Sequence, residues 1–136
     1  MQERRRVFTA SKNEKRVGYC RAIRLPDAGG DWIVVSGTTG FDYSAGTISN
    51  DAAEQAAKTL DNIAAALSEI GGAWDDIYFY RAYVRDADVW TEVSPVLAER
   101  FVPLMPATTA IIAPAMESEI LVEIEVEARR PPEGPG

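Results

Sequence analysis

Residues 51–72 read DAAEQAAKTLDNIAAALSEIGG, and this stretch decides how the rest of the chain is arranged. Ala53, Ala56, Ala57, Leu60, Ile63, Ala64, Leu67 and Ile70 recur every three or four residues, which places them on one stripe of a helix running from Ala52 to Ile70. Asp51 with Glu54 three positions on forms a capping-box pattern, and Gly71-Gly72 supplies a left-handed stop. With so many alanines on its stripe the helix is slim, and it can lie closer to a sheet than larger side chains would allow. The fold therefore turns on whether the flanking sequence supplies that sheet.

It does. Trp32 to Ser36 is a β-rich run after the turn signal Asp27-Ala28-Gly29-Gly30, and Ile77 to Val84 is rich in aromatic and β-branched residues. Thr108 to Ala113 is an apolar run closed by Pro114. From Ile120 to Ala128 the pattern alternates, with Val122, Ile124, Val126 and Ala128 on one side of a half-buried strand. Arg6 to Ala10 and Val17 to Ile23 read as a weaker hairpin across the polar stretch Ser11-Lys12-Asn13-Glu14-Lys15. A second helix is expected from Trp90 to Phe101, with Trp90, Val93, Leu97 and Phe101 buried and Pro95 in its first turns.

The order ββ, β, α, β, α, β, β predicts an α+β sandwich with both helices on one face of the sheet. The opposite face then needs cover, and closed symmetric association is the common solution. A homo-oligomer is the expectation. No repeat or interior break divides the chain, so residues 1–130 read as a single domain and the Pro- and Gly-rich residues 131–136 as a disordered tail.

Composition narrows the chemistry. Among 136 residues there are 14 Lys+Arg, 21 Asp+Glu, one cysteine and no histidine. Without histidine, Ser-His-Asp and Cys-His catalysis in their usual form and imidazole-based zinc sites are excluded, and no metal site is expected. The lone Cys20 excludes an intrachain disulfide and reads as a small packed side chain rather than a nucleophile. A net charge of -7 opposes a phosphate backbone, so nucleic-acid binding is disfavoured, and Arg4-Arg5-Arg6 reads as a solvated terminus. No apolar run approaches membrane-spanning length, and the basic start lacks the apolar segment of a signal peptide. The expectation is a soluble, cytoplasmic protein.

Carboxylates and tyrosines are then the main proton carriers left. Glu123, Glu125 and Glu127 point away from the apolar side of the last strand, either as a solvated face or, for at least one of them, as a site carboxylate tuned by burial. Tyr19 and Arg21 share a strand face opposite Cys20 and could hold an anionic ligand, or could be an ordinary cross-strand pair. Ser36-Gly37-Thr38-Thr39-Gly40 ends a strand with small residues whose N–H groups could cradle an anion. Met105-Pro106-Ala107-Thr108-Thr109 reads by default as loop and strand start.

Gly18-Tyr19, Val35-Ser36-Gly37, Gln55-Ala56-Ala57, Leu60-Asp61-Asn62-Ile63, Gly71-Gly72-Ala73, Pro106-Ala107-Thr108 and Val122-Glu123-Ile124-Glu125, in this order and spacing, resemble the RidA family, also called YjgF or L-PSP. The resemblance spans Val17 to Ala128. It implies a chorismate-mutase-like α+β fold, a mixed six-stranded sheet with two helices on one face, assembled as a homotrimer with a small-molecule ligand in each intersubunit cleft. It also implies hydrolysis of reactive enamines or imines to 2-oxo acids and ammonia, with no cofactor. On the matching positions, Tyr19 and Glu123 are the implied catalytic residues, with Thr108, Ser36, Gly37 and Ser94 lining the substrate; Arg21 joins them as a candidate from its place beside Tyr19. The family's carboxylate-binding arginine is Thr108 in this chain, and its usual Ser-Gly-Gln is Ser36-Gly37-Thr38. Threonine cannot supply a bidentate, charge-assisted pair, so activity on 2-iminopropanoate or 2-iminobutanoate is expected to be weak or lost. Arg21 is a candidate replacement cation, with an outward, solvated guanidinium as the competing expectation. A non-catalytic metabolite-binding trimer is the alternative function, and an RNA-cleaving activity of the L-PSP type the least favoured.

Overall fold

The computed structural model describes residues 3–132. In chain order it contains β1 (Arg5–Val7), β2 (Ala22–Leu25), β3 (Asp31–Thr38), α1 (Ala52–Glu69), β4 (Ile77–Val84), α2 (Ala87–Phe101), β5 (Ala107–Ile112) and β6 (Val122–Arg130). The strands form one six-stranded sheet in the order β1-β2-β3-β6-β4-β5. Every pairing is antiparallel except β4 with β5, which is parallel because α2 carries the chain back to the same end. This is the mixed sheet and two-helix arrangement expected from the sequence.

The long helix is specified at both ends. The Asp51 carboxylate accepts from the Glu54 amide at 2.9 Å. At the other end Gly71, with φ of 81°, turns the chain while its amide donates to Ser68 O and that of Gly72 to Leu67 O, a Schellman arrangement. Arg5 and Arg24 reach over from the sheet to donate to Ile70 O, so cations from β1 and β2 cover the negative end of a helix that has none in its own last turn. Leu60, Ile63 and Leu67 on α1 then pack with Ile33, Val35, Ile124 and Val126 in the core. On β6 the apolar set Val122, Ile124, Val126 and Ala128 is buried, as the alternation requires.

Four expectations are corrected. The N-terminal hairpin does pair β1 with β2, but its strands are much shorter than residues 6–10 and 17–23, because Glu14–Gly18 forms a π-helical turn between them. Tyr19 and Arg21 therefore precede β2 rather than lying within it. The second helix begins at Ala87, since the Asp86 side chain accepts from Val89 N at 2.9 Å and caps it three residues earlier than the apolar stripe suggests. Pro95 consequently sits in the helix interior, and Val89 takes the buried place assigned to Trp90, which is only partly buried. Other strand limits move by a few residues. Of the expected tail, residues 133–136 lie outside the described residues.

The face of the sheet away from the helices is mixed rather than apolar. Registers place Arg81 opposite Glu125 and Tyr83 opposite Glu123. Glu125 Oε1 accepts from Arg81 Nη1 at 2.8 Å and from the Tyr83 hydroxyl at 2.6 Å, while Tyr78 donates to Glu127 at 2.9 Å. Around this polar centre Val34 and Ile111 are 37% and 39% exposed. β5 is an edge strand with every residue exposed.

Candidate functional site

A cavity of about 460 Å³ opens beside the end of β3. Its walls come from the turn after β1, the loop that follows β3, and the segment leading into β6. Tyr19, Arg21, Gly37 and Glu123 all line it, together with Phe41 and Tyr43. A smaller depression, lined by Tyr83, Pro114 and Glu125 among others, shares Gly37, Met116 and Glu123 with it.

A bulge makes this possible. Between Val35, opposite Val126, and Thr38, opposite Ile124, β3 uses one residue more than β6, so Ser36 and Gly37 bow away from the ladder. A β-carbon built on Gly37 would overlap Glu123 Oε2 and stand 3.2 Å from its carboxyl carbon. Glycine is thus what lets the Glu123 carboxylate lie against the backbone of β3. Burial pushes the Glu123 carboxyl above its ordinary pKa; the Arg21 charge opposes this and Glu125 reinforces it. Next door the order of effects reverses. Burial would raise Glu125 as well, but the hydrogen bonds from Tyr83 and Arg81, and the Arg81 charge, hold it below the ordinary value. Neighbouring carboxylates on one face of the strand are thereby pushed in opposite directions.

Arg21 is 2% exposed, which overturns the solvated expectation. Its Nε and Nη2 donate to Glu14 Oε2 at 3.1 and 3.0 Å, and Nη1 donates to Gly37 O at 2.6 Å and Thr38 Oγ1 at 3.2 Å. The guanidinium carbon lies 5.7 Å from the Tyr19 ring centre and 5.1 Å from that of Tyr43. Glu14 is itself buried, accepting also from the Thr9 amide and hydroxyl at 2.8 and 2.6 Å. Arg21 therefore ties the N-terminal turn to the bulge that carries Gly37.

The other expected site residues are placed apart. Ser36 donates its hydroxyl to Cys20 O at 2.7 Å and does not line either cavity. Thr108 lies on edge strand β5 and donates to Tyr80 O at 2.9 Å, and Ser94 lies on α2; neither lines these cavities within one chain. Glu14, Tyr43 and Gln55 are not among the site residues expected from the sequence, although Gln55 belongs to one of the motifs that carry the resemblance. Gln55 is fully buried, donating to Ser49 O and Glu119 O at 2.7 and 2.8 Å and accepting from Leu121 N at 2.9 Å, so one α1 side chain fixes two segments that flank the cavity. Among the described residues no group of three or more His, Cys, Asp or Glu is placed to hold a metal ion, and no helix is long and apolar enough to cross a membrane.

A half-buried glutamate beside a strand bulge, on a six-stranded mixed sheet backed by two helices, defines a class of small cleft-bearing α+β proteins. The family described as Endoribonuclease L-PSP matches residues 10–130, and the chain belongs to it, the RidA/YjgF family. A RutC family protein of Pyrococcus abyssi is 30% identical over 124 residues, covering 90% of this chain and 94% of that protein. Rv2704 of Mycobacterium tuberculosis, a member of the YjgF/YER057c/UK114 family, is 34% identical with a TM-score of 0.81, covering 93% of this chain and 99% of its own. The YjgF gene product of Escherichia coli shares the fold at 23% identity and a TM-score of 0.76, over 93% of this chain and 98% of its own.

Proposed function

We propose that this protein hydrolyses small reactive imines, enamines or related carbonyl metabolites in a cleft carrying Glu123 and Tyr19. The observation that supports this most is Glu123, a half-buried carboxylate lining a cavity, with its pKa raised by burial. In the step envisaged, Glu123 takes a proton from water as its oxygen bonds to the imine carbon. That proton and then the second proton of the former water pass to nitrogen, the C–N bond breaks with its electron pair going to nitrogen, and ammonia leaves behind a carbonyl. Tyr19 supplies a phenolic hydrogen bond to the same substrate.

A homotrimer belongs to this reading, with Thr108 and Ser94 completing the cleft from a neighbouring copy. Its support is the open sheet face, with Val34 and Ile111 partly exposed, and the edge strand β5. Light scattering is expected to give three times the chain mass, and a stable monomer would overturn the shared cleft. For the activity, ammonia release from freshly generated imines is expected to exceed the buffer rate and to drop to it in Glu123→Gln. A panel that shows no acceleration by a correctly folded oligomer would overturn the hydrolase.

One observation favours a second reading, a non-catalytic binder: the Thr108 hydroxyl is taken up by Tyr80 O and offers no charge to a substrate. Thermal-shift stabilisation by a metabolite without turnover would select it. Cleavage of RNA has the least support, because the net charge is -7 and carboxylates line the cavity.

A further inference from the structure

We infer that the cavity accepts imines whose reacting group is uncharged or cationic, and rejects those bearing a carboxylate. This rests on the hydrolytic reading above and names its substrate class. Four side chains of the lining carry formal charge: Lys12, Arg21, Glu117 and Glu123. Arg21 makes four hydrogen bonds to the protein and is paired with Glu14 at 3.0 Å, the two side chains being 2% and 1% exposed. Four of its five N–H groups are thus spent on the protein, and a substrate carboxylate could form a bidentate pair only by displacing the buried Glu14. Lys12 stands on the exposed turn at the rim. Glu117 hydrogen-bonds Glu119 by sharing a proton, which raises its pKa, while burial and the Glu119 charge add to the rise and the Arg16 charge opposes it. Within one chain, with Arg21 matched by Glu14 and Glu117 under the charge of Arg16, the Glu123 carboxylate is the charge left to meet a substrate inside the cavity, and Lys12 is exposed.

An anion placed against Glu123 meets like charge in a partly desolvated site, whereas an iminium or ammonium nitrogen meets its complement. Phe41, Tyr19 and Tyr43 add aromatic rings suited to a cation or to an apolar substituent. Hydrolysis of such a substrate is balanced: one iminium ion and one water give one carbonyl compound and one ammonium ion. The water oxygen forms the new bond to carbon, the C–N bond breaks with its electron pair going to nitrogen, and the two water protons end on that nitrogen. Glu123 carries them from oxygen to nitrogen, and no oxidant or reductant is consumed.

Two matched measurements test the inference. The first compares ammonia release from ethanimine, generated from ethylamine by an added amine oxidase, with release from 2-iminopropanoate, generated from alanine by an added amino-acid oxidase. The two imines differ only in the carboxylate, and about tenfold or greater preference for ethanimine is expected. Equal or faster turnover of 2-iminopropanoate overturns the inference while leaving the hydrolase intact. If neither imine is accelerated, the hydrolase fails, and calorimetry decides the site's charge preference separately. Propylammonium or propionamide binding more tightly than propionate sustains it; propionate binding as tightly, or none of the three binding, overturns it.

Discussion

Glu123 lays its carboxylate across Gly37, one oxygen occupying the place that a β-carbon on residue 37 would need. The glycine and the glutamate are therefore a matched pair. Gly37→Ala is expected to drive the carboxylate from its position, costing about 1–3 kcal/mol of stability and the hydrolytic activity together. In a double-mutant cycle with Glu123→Ala the stability returns and the activity does not. Urea titration and ammonia release read the two effects, and an alanine variant matching the parent in both would contradict the pairing.

The ion pair between Glu14 and Arg21 holds the N-terminal turn against the bulge, and it is almost wholly buried. Removing the acid strands a buried cation, so Glu14→Ala is expected to cost about 3–5 kcal/mol in urea unfolding. Loss below about 1 kcal/mol, the usual worth of a surface pair, would show that the pair is solvated.

Gln55 satisfies Ser49 O, Glu119 O and Leu121 N from within the core. Gln55→Met keeps the volume and orphans all three groups, at an expected cost of about 2–4 kcal/mol. Hydrogen exchange gives the sharper readout: the Leu121 amide should lose its protection ahead of amides in β3. Unchanged exchange at Leu121 would remove Gln55 as the residue that sets the cavity walls.

The raised pKa of Glu123 has a consequence for pH dependence. Because the folded protein holds the carboxyl's proton more tightly than the unfolded chain does, this group favours folding most below the ordinary glutamate range, and that advantage is lost as pH rises through the folded-state value. Glu123→Gln carries no such dependence. The variant should therefore gain stability relative to the parent as pH rises from the ordinary glutamate range through the folded-state value, measured as the difference in urea midpoints. A difference that is flat or of opposite sign would mean that Arg21, and not burial, governs the carboxylate.

Much of the frame could be read from residue spacing, because α1 and β6 each carry a clean apolar period, and α1 has strong boundaries at Asp51 and Gly71. The N-terminal turn resisted such reading. Glu14 looks like any charged residue in a polar run, and only the folded chain shows it buried against an arginine from across the turn. Tyr43 lies in a glycine-punctuated loop with no period at all. Arg21 was legible as chemistry but not as geometry: its side chain could serve a ligand or the protein, and the distances to Gly37 O and Glu14 assign it to the protein. The alternation of β6 placed Glu123, Glu125 and Glu127 on one face, but their different fates depend on a bulge in β3 that no pattern in β6 announces.

The position of β6 has a consequence for how the molecule comes into being. It is the last strand in the described chain and yet lies in the middle of the sheet, with β3 on one side and β4 on the other. The strands on either side of it, β1 to β3 and β4 with β5, come earlier in the chain and are joined to each other only through residues 122–130. The pairing of Asp31 with Arg130 spans 99 residues, 130 minus 31, of the 136. Such distant contacts raise the contact order and slow folding, and the strand that carries Glu123 is the one through which they run.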